Sequence, residues 1–223
     1  MGALEGRHAL ITGGGTGIGA AIAHALAAEG ARLTIAGRRR ATLDATAARL
    51  PGTTVVVADV TKENDCAGMI AAANAAHGPV DIVIANAGAA ESTPVQRMDL
   101  AHWQRMIDVN LTGTFLTVKA ALPDITRKDG DASTRRIVLV SSTAGLKGYA
   151  YVAAYCAAKH GVVGLARALA LELAPRGITV NAVCPGFTET PLLDDAVAKI
   201  VAKTGRSVDA ARTELSRANP QGR

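Results

Sequence analysis

Short apolar runs alternate with longer Ala-rich stretches along the chain, and that alternation narrows the possible folds more than any other feature. The runs at 7–12, 31–36, 53–57, 81–85, 135–140 and 178–183 have the length and β-branched content of strands. They show little polar alternation: Val55-Val56-Val57, Ile82-Val83-Ile84 and Ile137-Val138-Leu139-Val140 are apolar on both faces. Strands of that kind lie in parallel sheets with helices against both sides. Helical patterns are predicted between them at 17–29, 42–50, 62–77, 100–122 and 152–173, punctuated by Gly30, Pro51-Gly52, Gly78-Pro79 and Pro123. Strand and helix alternating in this way predict right-handed crossovers and a doubly wound α/β sheet of Rossmann type. After Gly186 the alternation gives way to helical patterns at 192–203 and 208–217. Such an excursion suits a cover over a ligand site, here a helical substrate lid over 187–219.

A length of 223 residues fits one domain spanning 1–223, and 49% hydrophobic against 19% charged residues excludes a disordered chain. No apolar stretch approaches the roughly 18 residues that suggest a membrane helix, and the start has no signal-peptide layout. A soluble cytoplasmic protein with no membrane partner is expected. The net charge of +5 does not point to nucleic acid: the basic residues are scattered apart from Arg38-Arg39-Arg40, and aromatics are only 3%, too few for a stacking platform. Cys66, Cys156 and Cys184 are far apart with no Cys-x-x-Cys, which fits a reducing compartment. The five histidines show no metal-ligand spacing, so no metal is expected.

Three groups of residues carry chemistry. In the first, Gly13, Gly15, Thr16, Gly17, Ile18 and Gly19 lie between a strand and a helix. Glycines there let backbone N–H groups approach a pyrophosphate, and the helix N-terminus adds partial positive charge. The second group, Asp59-Val60 and Asn86-Ala87-Gly88, follows the third and fourth strands, where ligands bind in open α/β sheets. Asp59 is placed either to accept from an adenine amino group or to cap the next helix. The third is Ser142 after the fifth strand, with Tyr155 thirteen residues on and Lys159 four further. Tyr and Lys at i and i+4 share a helix face. An ammonium there is expected to lower a phenol pKa from about 10 toward neutrality. Of Tyr149, Tyr151 and Tyr155, only Tyr155 has Lys at i+4.

Taken together, these motifs, with Asn110 and Pro185-Gly186-x-x-x-Thr190, resemble the short-chain dehydrogenase/reductase family in order and spacing. The segments 160–164 and 183–187 look most like reductases of 3-oxoacyl thioesters and polyketides. The resemblance implies hydride transfer between a nicotinamide cofactor and a carbonyl/secondary-alcohol pair. Tyr155 would be the acid/base, Lys159 would bind the nicotinamide ribose, Ser142 the substrate oxygen, and Asn110 would support a relay water. Pro185, Gly186, Thr188 and Thr190 would hold the nicotinamide end and the phosphates. The family's usual Asn-Asn-Ala-Gly reads Ala85-Asn86-Ala87-Gly88 here, and family members usually continue into a further helix and seventh strand.

Gly37 stands where an NAD site usually carries Asp or Glu, and Arg38 and Arg39 follow. A guanidinium suits a 2′-phosphate, so NADP is expected ahead of NAD. The rivals are an NAD-dependent dehydrogenase of secondary alcohols or 3-hydroxyacyl groups and, from another class, a non-catalytic nucleotide-sensing scaffold. The resemblance also implies a homodimer or homotetramer through the two long helices. Small residues there, among them Gly113, Gly161 and Gly164, would let helices approach closely, against one another or within the subunit.

Overall fold

Six parallel strands form one sheet in the order β3-β2-β1-β4-β5-β6, in a computed structural model that describes residues 2–217 and 219. The strands are β1 (His8–Thr12), β2 (Arg32–Gly37), β3 (Thr54–Val57), β4 (Ile82–Ala85), β5 (Arg136–Val140) and β6 (Thr179–Val183). Their register aligns Ala9 with Leu33 and with Ile82, and Ile82 in turn with Arg136. The helices between them are α1 (Gly17–Ala28), α2 (Arg40–Ala47), α3 (Glu63–His77), α4 (Leu100–Ile107), α5 (Gly113–Ile125) and α6 (Ala153–Leu173). After β6 come α7 (Pro191–Thr204) and α8 (Val208–Ser216). Residue 218 of the expected lid and the tail 220–223 lie outside the described residues, as do the Leu192 and Asp195 side chains.

The absence of polar alternation in the strands has the predicted cause. On β1, Leu10 joins an apolar layer with Val83, Met69 of α3, Val118 of α5 and Val162 of α6. Its neighbours Ala9 and Ile11 point the other way, into a layer with Ile35, Ala23 of α1 and Leu43 of α2. At both edge strands the expectation of two covered faces fails: no residue of β3 is fully buried and Val57 is 53% exposed, and β6 is covered on one side only. Val180 is buried on the α6 side, but Thr179, Asn181 and Val183 are exposed on the other face, and Val183 is 50% exposed. The polar Thr179 and Asn181 carry that half-buried alternation in the sequence.

The predicted long helix at 100–122 departs from expectation twice. A π-helical turn at Asp108–Thr112 separates α4 from α5. The helix also does not stop near Pro123 but runs on to Ile125. A proline this close to the end removes one main-chain bond. The last turn keeps others: Thr126 N–H donates to the Leu122 carbonyl at 2.8 Å, and the Ile125 side chain is fully buried.

Candidate active site

The strand order reverses between β1 and β4, which opens a crevice at the carboxyl ends of these strands. On one side is the glycine turn. Gly13 has φ 67° and Gly17 φ 52°, conformations that L side chains rarely adopt. A Cβ on Gly19 would overlap the Gly13 carbonyl, so the helix starts in close contact with the turn. Thr16 is the N-cap of α1 but makes no side-chain capping bond. The first N–H groups of α1 therefore point outward without a side-chain acceptor, the arrangement that binds an anion. This cradle fits a dinucleotide pyrophosphate.

The other side is tied to it. Thr12 Oγ1 accepts from the N–H groups of Asn86 at 3.1 Å and Ala87 at 3.2 Å. Asn86 Nδ2 donates back to the Thr12 carbonyl at 2.9 Å and the Gly13 carbonyl at 3.3 Å. The Asn86 side chain thus braces the glycine turn. Thr12, at the head of the glycine motif, likewise acts by position.

Arg38 and Arg39 are exposed just past the end of β2, and Arg40 is paired with Asp44 at 2.8 Å. Gly37 leaves room at this end, since a Cβ there would make only ordinary contact with Leu43. Asp59 forms a local turn: its Oδ1 accepts from Thr61 N–H at 3.0 Å and Thr61 Oγ1 at 2.8 Å. Partial burial pushes the Asp59 carboxyl up, but the Thr61 hydrogen bonds and the Arg38 and Lys62 charges outweigh it and hold it below its ordinary value. Asp59 does not cap α3, whose N-cap is Lys62. Val60 is buried against Gly113, where a Cβ would press on the Val60 side chain. Gly161 likewise makes room for Leu111. These two glycines therefore serve packing within the subunit, whereas Gly164 faces open space.

Asn110 sits fully buried in the π turn. Its Nδ2 donates to the carbonyls of Ala89 at 2.8 Å and Met106 at 3.0 Å, and its Oδ1 accepts from Ala89 N–H at 3.2 Å. Both amide hydrogens are thereby committed, so the expected support of a relay water does not come from them. Instead the Asn110 side chain fixes the main chain of Ala89. Gly88 fits between Asn110 and Lys159: a Cβ there would lie 2.8 Å from Asn110 Oδ1 and 3.6 Å from Lys159 Nζ.

Lys159 is 3% exposed, and its Nζ donates to the Val140 carbonyl at 2.8 Å while lying 5.7 Å from the Tyr155 ring centre. Burial pushes its ammonium down to about 8. Tyr155 behaves differently from expectation. Burial raises its phenol above the ordinary 10, opposed by a hydrogen bond with Ser142. With its ammonium at about 8, Lys159 has lost its charge before a phenol above 10 ionises, so it does not lower the phenol. Ser142 Oγ also accepts from Ala144 N–H at 3.1 Å. Ser141 Oγ donates to the Lys159 carbonyl at 2.9 Å, fixing α6 to the loop after β5. Neither the bond from Ser141 nor the part played by the Val140 carbonyl was legible in the sequence.

The segment after β6 closes the crevice. The Pro185 carbonyl accepts from Thr143 N–H at 2.9 Å, and Thr190 packs against Gly17. Gly186 and Thr188 are exposed between them. The sequence-predicted residues from all six strand ends are therefore neighbours along one crevice. A family model described as short chain dehydrogenase matches residues 7–200.

The chain belongs to the short chain dehydrogenase family.

It is an oxidoreductase of the CH–OH/carbonyl pair with a nicotinamide cofactor. It is 39% identical to D-beta-hydroxybutyrate dehydrogenase of Cupriavidus necator over 95% of this chain and 82% of that one. It is 40% identical to cis-4-hydroxycyclohexanecarboxylate dehydrogenase of Sinomonas cyclohexanicum over 96% and 84% of the two chains. A variant of actinorhodin polyketide ketoreductase, solved with NADPH, superposes with a TM-score of 0.91 at 34% identity, covering 100% of this chain and 86% of that one.

Proposed function

We propose that this short chain dehydrogenase uses NADP(H) and acts on apolar 3-oxoacyl/3-hydroxyacyl-type or cyclic carbonyl compounds. The observation that carries the chemistry is the buried Lys159 ammonium 5.7 Å from the Tyr155 ring centre on α6, with Ser142 following β5. The bound nicotinamide supplies or takes up the hydride. Ser142 holds the substrate oxygen and Tyr155 gives it a proton in reduction or removes one in oxidation. A phenol above 10 is protonated at neutral pH, which suits donation. Lys159 faces the ribose end, and Asn110 acts by position, holding Ala89. The cofactor cradle comprises Gly13, Gly15, Thr16, Gly17, Ile18 and Gly19, with Asp59, Val60, Asn86, Ala87 and Gly88 beside it. Pro185, Gly186, Thr188 and Thr190 close it, and 187–219 serves as the lid.

NADP(H) is favoured because Gly37 supplies no carboxylate to repel a 2′-phosphate while Arg38 and Arg39 are exposed beside it. The solved relative with NADPH supports the same choice. The substrate end is lined by Tyr149 and Phe187, whose rings lie 6.1 Å apart edge to face, and this favours an apolar carbonyl compound. A cytoplasmic homodimer or homotetramer is the matching assembly, and light scattering on the active protein tests it. The deciding experiment compares wild type with Tyr155→Phe on a ketone panel with NADPH and NADH. Turnover should fall more than about 10³-fold in the variant while NADPH still binds. Near-normal turnover by Tyr155→Phe would remove the reading.

A further inference from the structure

Phe187 follows Pro185-Gly186 on an exposed connection, and nearby side chains do little to fix it. Thr188 and Thr190 make only long local bonds, to the Gly186 carbonyl at 3.3 Å and the Thr188 carbonyl at 3.2 Å. The main chain of Phe187 is instead clasped from 32 residues away. Asn219 Oδ1 accepts from Phe187 N–H at 3.1 Å, and Asn219 Nδ2 donates to the Phe187 carbonyl at 2.9 Å. One planar amide thus meets both polar groups of one residue, as a neighbouring strand would. A Cβ on Gly186 would overlap Asn219 Oδ1, so the glycine is what allows the approach. Asn219 is itself anchored to the end of α8, its N–H donating to the Ser216 carbonyl at 2.9 Å.

The clasp reaches the substrate end through one aromatic contact. The Phe187 ring stands edge to face with Tyr149 at 86°. Tyr149 is fixed in turn by a 2.9 Å hydrogen bond between its hydroxyl and Thr143 Oγ1, one residue after Ser142. A shift of the Phe187 main chain therefore moves its ring against Tyr149, which Thr143 holds next to Ser142 in the chain.

We propose that Asn219 is a positioning residue that fixes Phe187 against Tyr149 and so sets how large a carbonyl compound this end accepts. The proposal rests on the reading above that this end receives the carbonyl compound. On this proposal a fused two-ring ketone reaches the Phe187–Tyr149 pair, whereas a single-ring ketone depends on it far less. The test uses the full chain as wild type, Asn219→Ala and Asn219→Asp. The aspartate keeps an acceptor for Phe187 N–H but has no donor for its carbonyl. Steady-state rates are measured with 1-decalone, cyclohexanone and NADPH, and amide hydrogen exchange is followed in the peptide containing Phe187.

Exchange at that peptide should quicken about tenfold in Asn219→Ala and much less in Asn219→Asp, in line with the loss of a hydrogen bond. The decalone-to-cyclohexanone ratio of kcat/KM should fall at least fivefold in Asn219→Ala through the decalone KM, with an intermediate fall in Asn219→Asp. The KM for NADPH should not change. Unchanged exchange, or an equal loss with both ketones and with NADPH, overturns the proposal. If wild type reduces neither ketone with NADPH or NADH, the functional reading fails, and the exchange measurement alone decides the clasp.

Discussion

Replacing Lys159 with methionine should make the protein more stable while abolishing its activity, and by an amount that depends on pH. Lys159 is almost completely buried, and its ammonium has one hydrogen bond, to the Val140 carbonyl. Burial lowers its pKa to about 8 from an ordinary 10.5. At about 1.4 kcal/mol per pH unit, this difference corresponds to a cost of about 3 kcal/mol when the lysine is charged in both states. Below pH 8 the folded and the unfolded chain both hold the proton, so the full cost applies. Between 8 and 10.5 only the unfolded chain holds it, so stability rises with pH. By pH 9.5 about 1 kcal/mol of the cost remains. Methionine removes the cost but leaves the Val140 carbonyl without its donor, a loss of about 1 kcal/mol at any pH. Lys159→Met should therefore gain about 2 kcal/mol over wild type at pH 7 and almost nothing at pH 9.5. Urea unfolding of both proteins at the two pH values measures the difference. A variant less stable than wild type at pH 7, or a gap that stays constant between the two, would refute the reasoning.

Three further outcomes are expected. Gly19→Ala forces a Cβ onto the Gly13 carbonyl and Asn86 Nδ2, so NADPH affinity should fall at least tenfold in a fluorescence titration, and the melting temperature should fall with it. In the oxidising direction the rate with a secondary alcohol should keep rising from pH 7 to 10, because burial holds the Tyr155 phenol above its ordinary value; a plateau near pH 7.5 would contradict this. Arg127→Ala leaves the buried Asp81 carboxylate without its 2.5 Å partner, which should cost about 3 kcal/mol in urea unfolding at pH 7. Burial raises the Asp81 carboxyl, but Arg127 and the His8 N–H lower it further than that, so this contribution is present at neutral pH and disappears as pH falls below the ordinary carboxylate range.

What could be read in the sequence was what repeats or clusters. Apolar runs such as Ile82-Val83-Ile84 have both faces buried because of the sheet's layering, and Tyr155 and Lys159 meet because helix geometry fixes i and i+4. The features missed have different physical origins. The π turn at Asp108–Thr112 preserves a helical apolar pattern and shifts it by one residue, so periodicity passes over it. The partner of Lys159 is a main-chain carbonyl, an atom every residue at 140 would supply. The clasp of Asn219 on Phe187 is a meeting of residues far apart in the chain. Gly113 and Gly161 showed that something packs closely, but only the fold shows that Val60 and Leu111 are what does so.

The two ends of the sheet divide stability from chemistry. At the amino ends of the strands, polar groups are buried with their partners. Asp81 accepts from His8 N–H at 3.0 Å and from Arg127, and the His8 ring lies between the Gly78 carbonyl at 2.8 Å and Thr34 Oγ1 at 2.9 Å. Arg135, 1% exposed, donates to the carbonyls of Ile125, Arg127 and Asp129, tying the end of α5 to the following loop. At the carboxyl ends the chain holds what a fold would otherwise avoid: a buried ammonium with one carbonyl, a π turn around Asn110, and Tyr151 with φ 67°. These features cost free energy, and each borders Ser142, Tyr155 or the segment 86–89. A fold can keep them because the bonds at the opposite end offset the cost, although Arg135 Nε is itself buried without a partner among the described residues. It follows that truncating substitutions at the amino end should lower stability without altering the pH dependence of turnover, whereas substitutions such as Lys159→Met at the carboxyl end should trade turnover for stability.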